Sequence, residues 1–208
     1  MTTAKFGTDV AECWSDDEYA HPARYLGHRA ELVRSLGPVL EPGDRVLDLA
    51  CGDGGLGAFL LAFGLSYTGV DASVAMVAAA RRRLGTGAEI VHARLDEYRP
   101  PAPVAATTIF RAIYYSDDRV ALFRRAGEYT QKKLVFDLDP RRYRLDDVAA
   151  ELRSAGFARL DVRPFFVPQH VALPAPVQQL LLAAERAGPL ARPLLRFRFS
   201  YVCAASRD

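Results

Sequence analysis

Residues 46–57 read Val-Leu-Asp-Leu-Ala-Cys-Gly-Asp-Gly-Gly-Leu-Gly, and no other stretch of this 208-residue chain restricts its fold so tightly. An apolar strand carrying one acid, Asp48, runs into a glycine-rich turn, and a helix follows at once. Glycines at 52, 54 and 57 let the backbone turn tightly, approach a ligand closely and pack the helix against the strand. A second strand, Ser66-Tyr-Thr-Gly-Val-Asp71, closes on an acid placed where a ribose diol can be hydrogen-bonded. Together these residues describe a pocket for a nucleoside-bearing ligand.

Gly52, Gly54 and Gly57 formally satisfy G-x-G-x-x-G, the dinucleotide fingerprint, so an NAD-dependent oxidoreductase is one reading. A dinucleotide lays its pyrophosphate on the helix N-terminus, where anionic side chains are unwelcome. Here Asp48 precedes the turn and Asp53 lies inside it, which suits a ligand bearing a cationic ammonium or sulfonium group. S-adenosylmethionine (SAM) has both and carries no phosphate.

V-L-D-L-A-C-G-D-G-G-L-G, followed by G-V-D-A-S, resembles the class I SAM-dependent methyltransferases. The resemblance runs from about Leu36 to the C-terminus and is strongest at these two motifs. It implies an α/β fold: a doubly wound, mostly parallel seven-stranded sheet, helices on both faces and an antiparallel last strand. It implies further that Asp48, Ala50, Gly52 and Gly54 line the methionine end of SAM and that Asp71 holds the ribose hydroxyls. Ala72 and Met76 become apolar neighbours of the adenine or, equally, helix-packing residues. Relatives place an acid after strand three to bind the adenine amino group; here Arg94 stands at that point. Adenine recognition is therefore expected to pass to Asp96 or to the backbone around Leu95.

Length and a half-apolar composition suit a single domain over 1–208, with residues 1–42 as an N-terminal helical cap and 165–195 as a substrate-lid insertion. A net charge of +2 predicts no nucleic-acid partner. Arg81-Arg-Arg83 ends a helix, where cations complement the dipole, and reads as a solvated helix end. Cys13, Cys51 and Cys203 show neither a disulfide framework nor zinc spacing, so reduced thiols in a cytoplasmic monomer or homodimer are expected. No signal peptide and no membrane span are apparent.

Short apolar runs alternate with amphipathic stretches, the pattern of a parallel sheet. Strands are expected at 45–50, 66–71, 88–93, 105–112, 133–138, 157–167 and 197–204. Helices are expected from Pro22 to Leu40, then over 55–63, 73–84, 117–129, 145–155 and 177–187. The last lies in a proline-rich segment, 168–195, expected to roof the substrate.

Methyl transfer from a sulfonium is an in-line displacement whose leaving thioether needs no protonation, so alignment and exclusion of water dominate. Groups beyond the carboxyl ends of the strands are the candidates for chemistry. Arg111, Tyr114 and Tyr115 follow strand four, and Asp139 and Arg141 follow strand five. The Asn/Asp-Pro-Pro-aromatic tetrad of exocyclic-amine methyltransferases is absent from residues 110–116. His170 or Tyr115 is the expected base for an oxygen nucleophile, although a lone loop histidine is also an ordinary surface residue. Arg29 is a candidate partner for the methionine carboxylate, with Tyr19 or Tyr25 over the sulfonium; an aromatic core is the competing reading. No metal is expected, because Arg111 stands where an acid would be needed. The whole implies a SAM-dependent methyltransferase acting on a small, partly apolar molecule, oxygen preferred over nitrogen or carbon. A non-catalytic SAM-binding accessory protein is the other reading.

Overall fold

The strands follow from β-branched and aliphatic runs, and alternation along each one divides two cores. The computed structural model describes residues 14–116, 118–187 and 199–207. Strands β1 (Arg45–Leu49), β2 (Ser66–Asp71), β3 (Glu89–His92), β4 (Val104–Ile109), β5 (Thr130–Leu138), β6 (Arg159–Phe165) and β7 (Ser200–Ser206) form one sheet in the order β3-β2-β1-β4-β5-β7-β6. The first five are parallel, and β7 runs antiparallel between β5 and β6. Side chains of successive strand residues point to opposite faces. Val46, Ala106, Val135 and Val202 fill one core, whereas Leu47, Leu134, Phe136 and Cys203 fill the other.

Helices α1 (Trp14–Glu18), α2 (Pro22–Ser35) and α3 (Gly55–Ala62) lie toward the first core, and α5 (Arg119–Tyr129) and α6 (Leu145–Ser154) cover the second. Helix α4 (Val74–Leu84) is started by Ser73, whose side chain accepts from the Met76 N–H. Helix α7 (Ala175–Glu185) packs on β6.

The expected first long helix stops earlier than its apolar stripe suggests. Gly37 takes φ +67° before Pro38, so α2 ends at Ser35; Leu40 reaches the core from the following loop, while Val39 is exposed. Cys13, Asp117 and the part of the expected lid over 188–195 lie outside the described residues. Cys51 and Cys203 are free, buried thiols. No helix among the described residues is long and apolar enough to cross a membrane.

Lys133 opens the buried part of β5 with its side chain fully enclosed. Its Nζ donates to the Arg34 and Leu36 carbonyls at 3.1 and 2.7 Å, closing the C-terminus of α2 against the sheet. Burial pulls its pKa down to about 7.

Candidate functional site

Strand order reverses between β1 and β4, and the crevice beyond their carboxyl ends is where open α/β sheets bind ligands. A cavity of about 440 Å³ opens there. Among the expected site residues, Asp48, Ala50, Gly52, Asp71, Ala72, Met76, Leu95, Asp96, Arg111, Tyr115 and Arg29 all line it. The carboxylate of Asp71 is oriented by two backbone donors, the Gly52 N–H at 2.9 Å and the Ser73 N–H at 2.8 Å. Burial raises it above the ordinary carboxylate range, against the pull of these two donors.

Asp48 is buried beneath the turn. Its Oδ2 accepts from the Tyr67 hydroxyl and its Oδ1 from the Thr108 hydroxyl, each at 2.7 Å. Desolvation pushes it up to about 6 despite those two donors. Gly57 makes this arrangement possible, because a Cβ there would lie 2.7 Å from the Tyr67 ring. The expected helix-to-strand packing role of Gly57 is thereby seen in detail.

Gly54 departs from expectation. It takes φ +77° and would carry a Cβ 2.9 Å from the Leu84 side chain, so it serves packing and backbone conformation and does not line the cavity. Gly52, at φ +58°, is the glycine on the cavity wall. Ala50 (φ +66°) and Arg111 (φ +55°) are the non-glycine residues held in the left-handed region among those described. They follow β1 and β4, both on the cavity wall, where such strain is often stored.

The acid inside the turn lines the cavity and is also engaged within the protein. Asp53 is buried and accepts from the Ser15 N–H (3.0 Å), the Ser15 hydroxyl, the Gly55 N–H (3.2 Å) and Arg83 (2.9 Å). It thereby ties α1 across the turn. The expected solvated end of α4 is corrected on the same ground: Arg83 bridges Asp53 and Asp16, and Arg81 donates to the Ile90 carbonyl at 2.7 Å.

Tyr25 and Arg29 share a face of α2, with Arg29 Nη2 donating to the Tyr25 hydroxyl at 2.7 Å. The guanidinium lies over the Phe110 ring at 4.4 Å and 3.6 Å from Asp137, and Tyr25 stacks on Tyr19 at 4.2 Å. Buried Nε of Arg29 and Nη1 of Arg111 have no protein partner. Arg111 donates through Nη2 to Glu18 at 3.0 Å, and its backbone N–H donates to Asp137 at 2.7 Å. Tyr25 itself lines a second cavity, of about 340 Å³, that shares Arg111 and Tyr114 with the first.

His170 is exposed and lines neither cavity, so the structure does not bring the expected base to the site. Of the expected lid, Phe165, Val167 and Gln169 wall the second cavity, whereas α7 does not. That helix is clamped elsewhere: Glu185 accepts from the Phe166 N–H at 2.6 Å and pairs with His28 at 2.6 Å. His92 bonds the Ala72 carbonyl region at 3.0 Å, the structural role expected of it. Arg94 pairs with Asp96 at 3.2 Å, both on the wall of the first cavity. Sequence reasoning missed Ser15, Glu18 and Gln169, short-range polar residues whose places are set by contacts distant in the chain.

An open sheet of this order with a glycine turn and an acid at the end of β2 defines a Rossmann-like α/β protein. Residues 46–133 match the methyltransferase domain family. Likeness to solved structures spans the whole chain. One similar chain comes from the Haloferax volcanii complex of the Trm112 methyltransferase activator with a protein designated a methyltransferase; it is 16% identical, both chains are covered fully, and the TM-score is 0.67. Magnesium protoporphyrin IX methyltransferase from Synechocystis PCC 6803, with bound SAM, is 15% identical over all of this chain and 86% of its own, at a TM-score of 0.60. Phosphoethanolamine N-methyltransferase 2 of Haemonchus contortus, in complex with SAM, is 18% identical over 95% of this chain, at a TM-score of 0.65. The present chain spans 56% of that enzyme's length. No curated protein matches by sequence. The chain thus shares the fold of solved SAM-dependent methyltransferases, and its residues 46–133 match the methyltransferase domain family.

Proposed function

We propose that the chain binds SAM in the first cavity and directs its methyl group into the second, onto a small, partly apolar acceptor. One observation carries this reading: the two cavities meet at Arg111 and Tyr114, so a donor and an acceptor can face each other across a shared wall. The residues present fit the donor. Asp71, pre-oriented by two N–H groups, is placed for a ribose diol, and the unpartnered N–H groups of Arg29 and Arg111 fit a carboxylate. Bound there, SAM supplies an electrophilic methyl on a sulfonium. The chain's own contribution is to orient the two partners and to exclude water with α1, which Asp53 holds across the turn.

Oxygen remains the favoured acceptor atom. Tyr114, on the wall the two cavities share and with its ring centroid 4.5 Å from that of Tyr115, serves to position the acceptor; Tyr115, the expected base, lines only the donor cavity. The Haloferax chain is held by an activator protein; the present reading needs no partner protein, and activity of the pure chain decides that point. Incubation with methyl-labelled SAM and a panel of small acids, phenols and amines tests the proposal. Label in an organic product supports it. Tight SAM binding with no transfer would favour the accessory, non-catalytic reading.

A further inference from the structure

The second cavity is walled by rings and guanidiniums. Tyr25, Tyr143 and Phe165 give it flat apolar sides, and Arg111, Arg141 and Arg142 give it positive charge. Around it and its junction with the first cavity, four arginines (Arg29, Arg111, Arg141, Arg142) face three acids, Glu18, Asp137 and Asp139. Every one of those acids is already engaged. Asp139 takes three bonds from Arg141, from its backbone N–H, Nε and Nη2 and each 2.9 Å, which hold it below the ordinary carboxylate range. Asp137 accepts the Arg111 N–H and faces Arg29; Glu18 accepts from Arg111 and Gln169.

Among the described residues, no side chain on this wall is suited to take a proton near neutrality. Burial pushes Tyr25 up to about 12 and raises Tyr114 well above the ordinary phenol range, with a bond to Tyr115 adding to the effect. His170 stands outside. A phenol or alcohol acceptor would need a base that the described residues of this wall do not supply, and an alkylamine would arrive as an ammonium among arginines.

Resting on the methyltransferase reading above, we propose that the acceptor is a carboxylic acid with a flat apolar body, methylated on its carboxylate oxygen. Such an acceptor arrives ionised. Its oxygen forms the new C–O bond as the C–S bond breaks, the electron pair leaves on sulfur, and no proton moves. The carboxylate's negative charge and the sulfonium's positive charge cancel, leaving a neutral methyl ester and a neutral thioether.

Four probes matched in shape test this: phenylacetate, phenylacetamide, phenethylamine and 4-methylphenol. Calorimetric titration into protein saturated with demethylated SAM should show phenylacetate binding about tenfold tighter than the amide or amine, the scale of one charge-assisted hydrogen bond. With methyl-labelled SAM the product should release methanol in mild alkali, as an ester does and an amine or phenyl ether does not. Arg142→Gln, at an exposed position, should weaken phenylacetate about twofold to fivefold, the scale of an exposed charge pair, and leave affinity for demethylated SAM unchanged. Equal binding of acid and amide, binding of none of the four, or an alkali-stable product overturns the proposal. Failure of SAM or its demethylated product to bind sinks the underlying reading instead, and the same calorimeter separates the two failures.

Discussion

The two cavities are built in opposite ways. The first rests on consecutive pieces of chain: β1, the turn at residues 50–54, β2 and the start of α4, with backbone N–H groups aiming Asp71 and left-handed conformations at Ala50 and Gly52. The second is assembled from side chains far apart in sequence, from Tyr25 on α2 through Arg111 and Asp137 to Ser200 on β7. A main-chain site tolerates little change in shape or spacing, and binds the part of the reaction that many relatives share. A side-chain site can be re-lined one residue at a time. On the proposed function, cofactor and acceptor roles divide along that seam.

Substitutions in the first cavity should therefore cost more than those in the second. Asp71, aimed by the Gly52 and Ser73 N–H groups, is proposed to hold the ribose diol, so Asp71→Ala should weaken SAM by about a hundredfold or more, taking charged hydrogen bonds at roughly 1.5–3 kcal/mol each; equilibrium titration measures it. Unchanged affinity would break the comparison at its strongest point.

Next in size is a pH effect from Asp48. The unfolded chain loses this proton near pH 4 and the folded protein keeps it to about pH 6, so the residue makes stability fall as pH rises through that window. A carboxyl moved from 3.8 to about 6 corresponds to roughly 3 kcal/mol at most. Chemical denaturation at a series of pH values should show the decline, and Asp48→Asn should flatten it.

Gly57→Ala places a Cβ against the Tyr67 ring and should cost about 1–3 kcal/mol of stability, read as a lower unfolding midpoint, because overpacking forces the Tyr67–Asp48 pair to move. Smallest is Tyr114→Phe, on a half-exposed residue of the shared wall. It should raise KM for the acceptor by about twofold to fivefold, the scale of one neutral hydrogen bond, with SAM affinity unaltered. A larger effect there than at Asp71 would invert the comparison.

The same division explains what could be read from the residues alone. The strand-turn-helix run and the acid closing β2 specify a local conformation, so the fold and most of the first cavity's lining are legible in the sequence. The role of Gly54 is not legible, because the G-x-G spacing does not say which glycine faces the cavity and which packs against Leu84. The bonds from Ser15 and Arg83 to Asp53 come from residues distant in sequence, so no local pattern carries them. His170 was favoured for its chemistry, yet position decides catalysis, and no local pattern carries its exposure. The apolar stripe past Ser35 was read as helix although Gly37 and Pro38 interrupt it. Burial of Lys133 was invisible because its partners are two carbonyls at a helix end.

The central claim is that the first cavity belongs to SAM. Calorimetric titration of the pure protein with SAM, with its demethylated product and with NAD tests it most directly. Saturable binding of the first two, lost in Asp71→Ala, with no heat from NAD, is the predicted result. Binding of NAD in their place would contradict the account and turn the glycine run into a dinucleotide site.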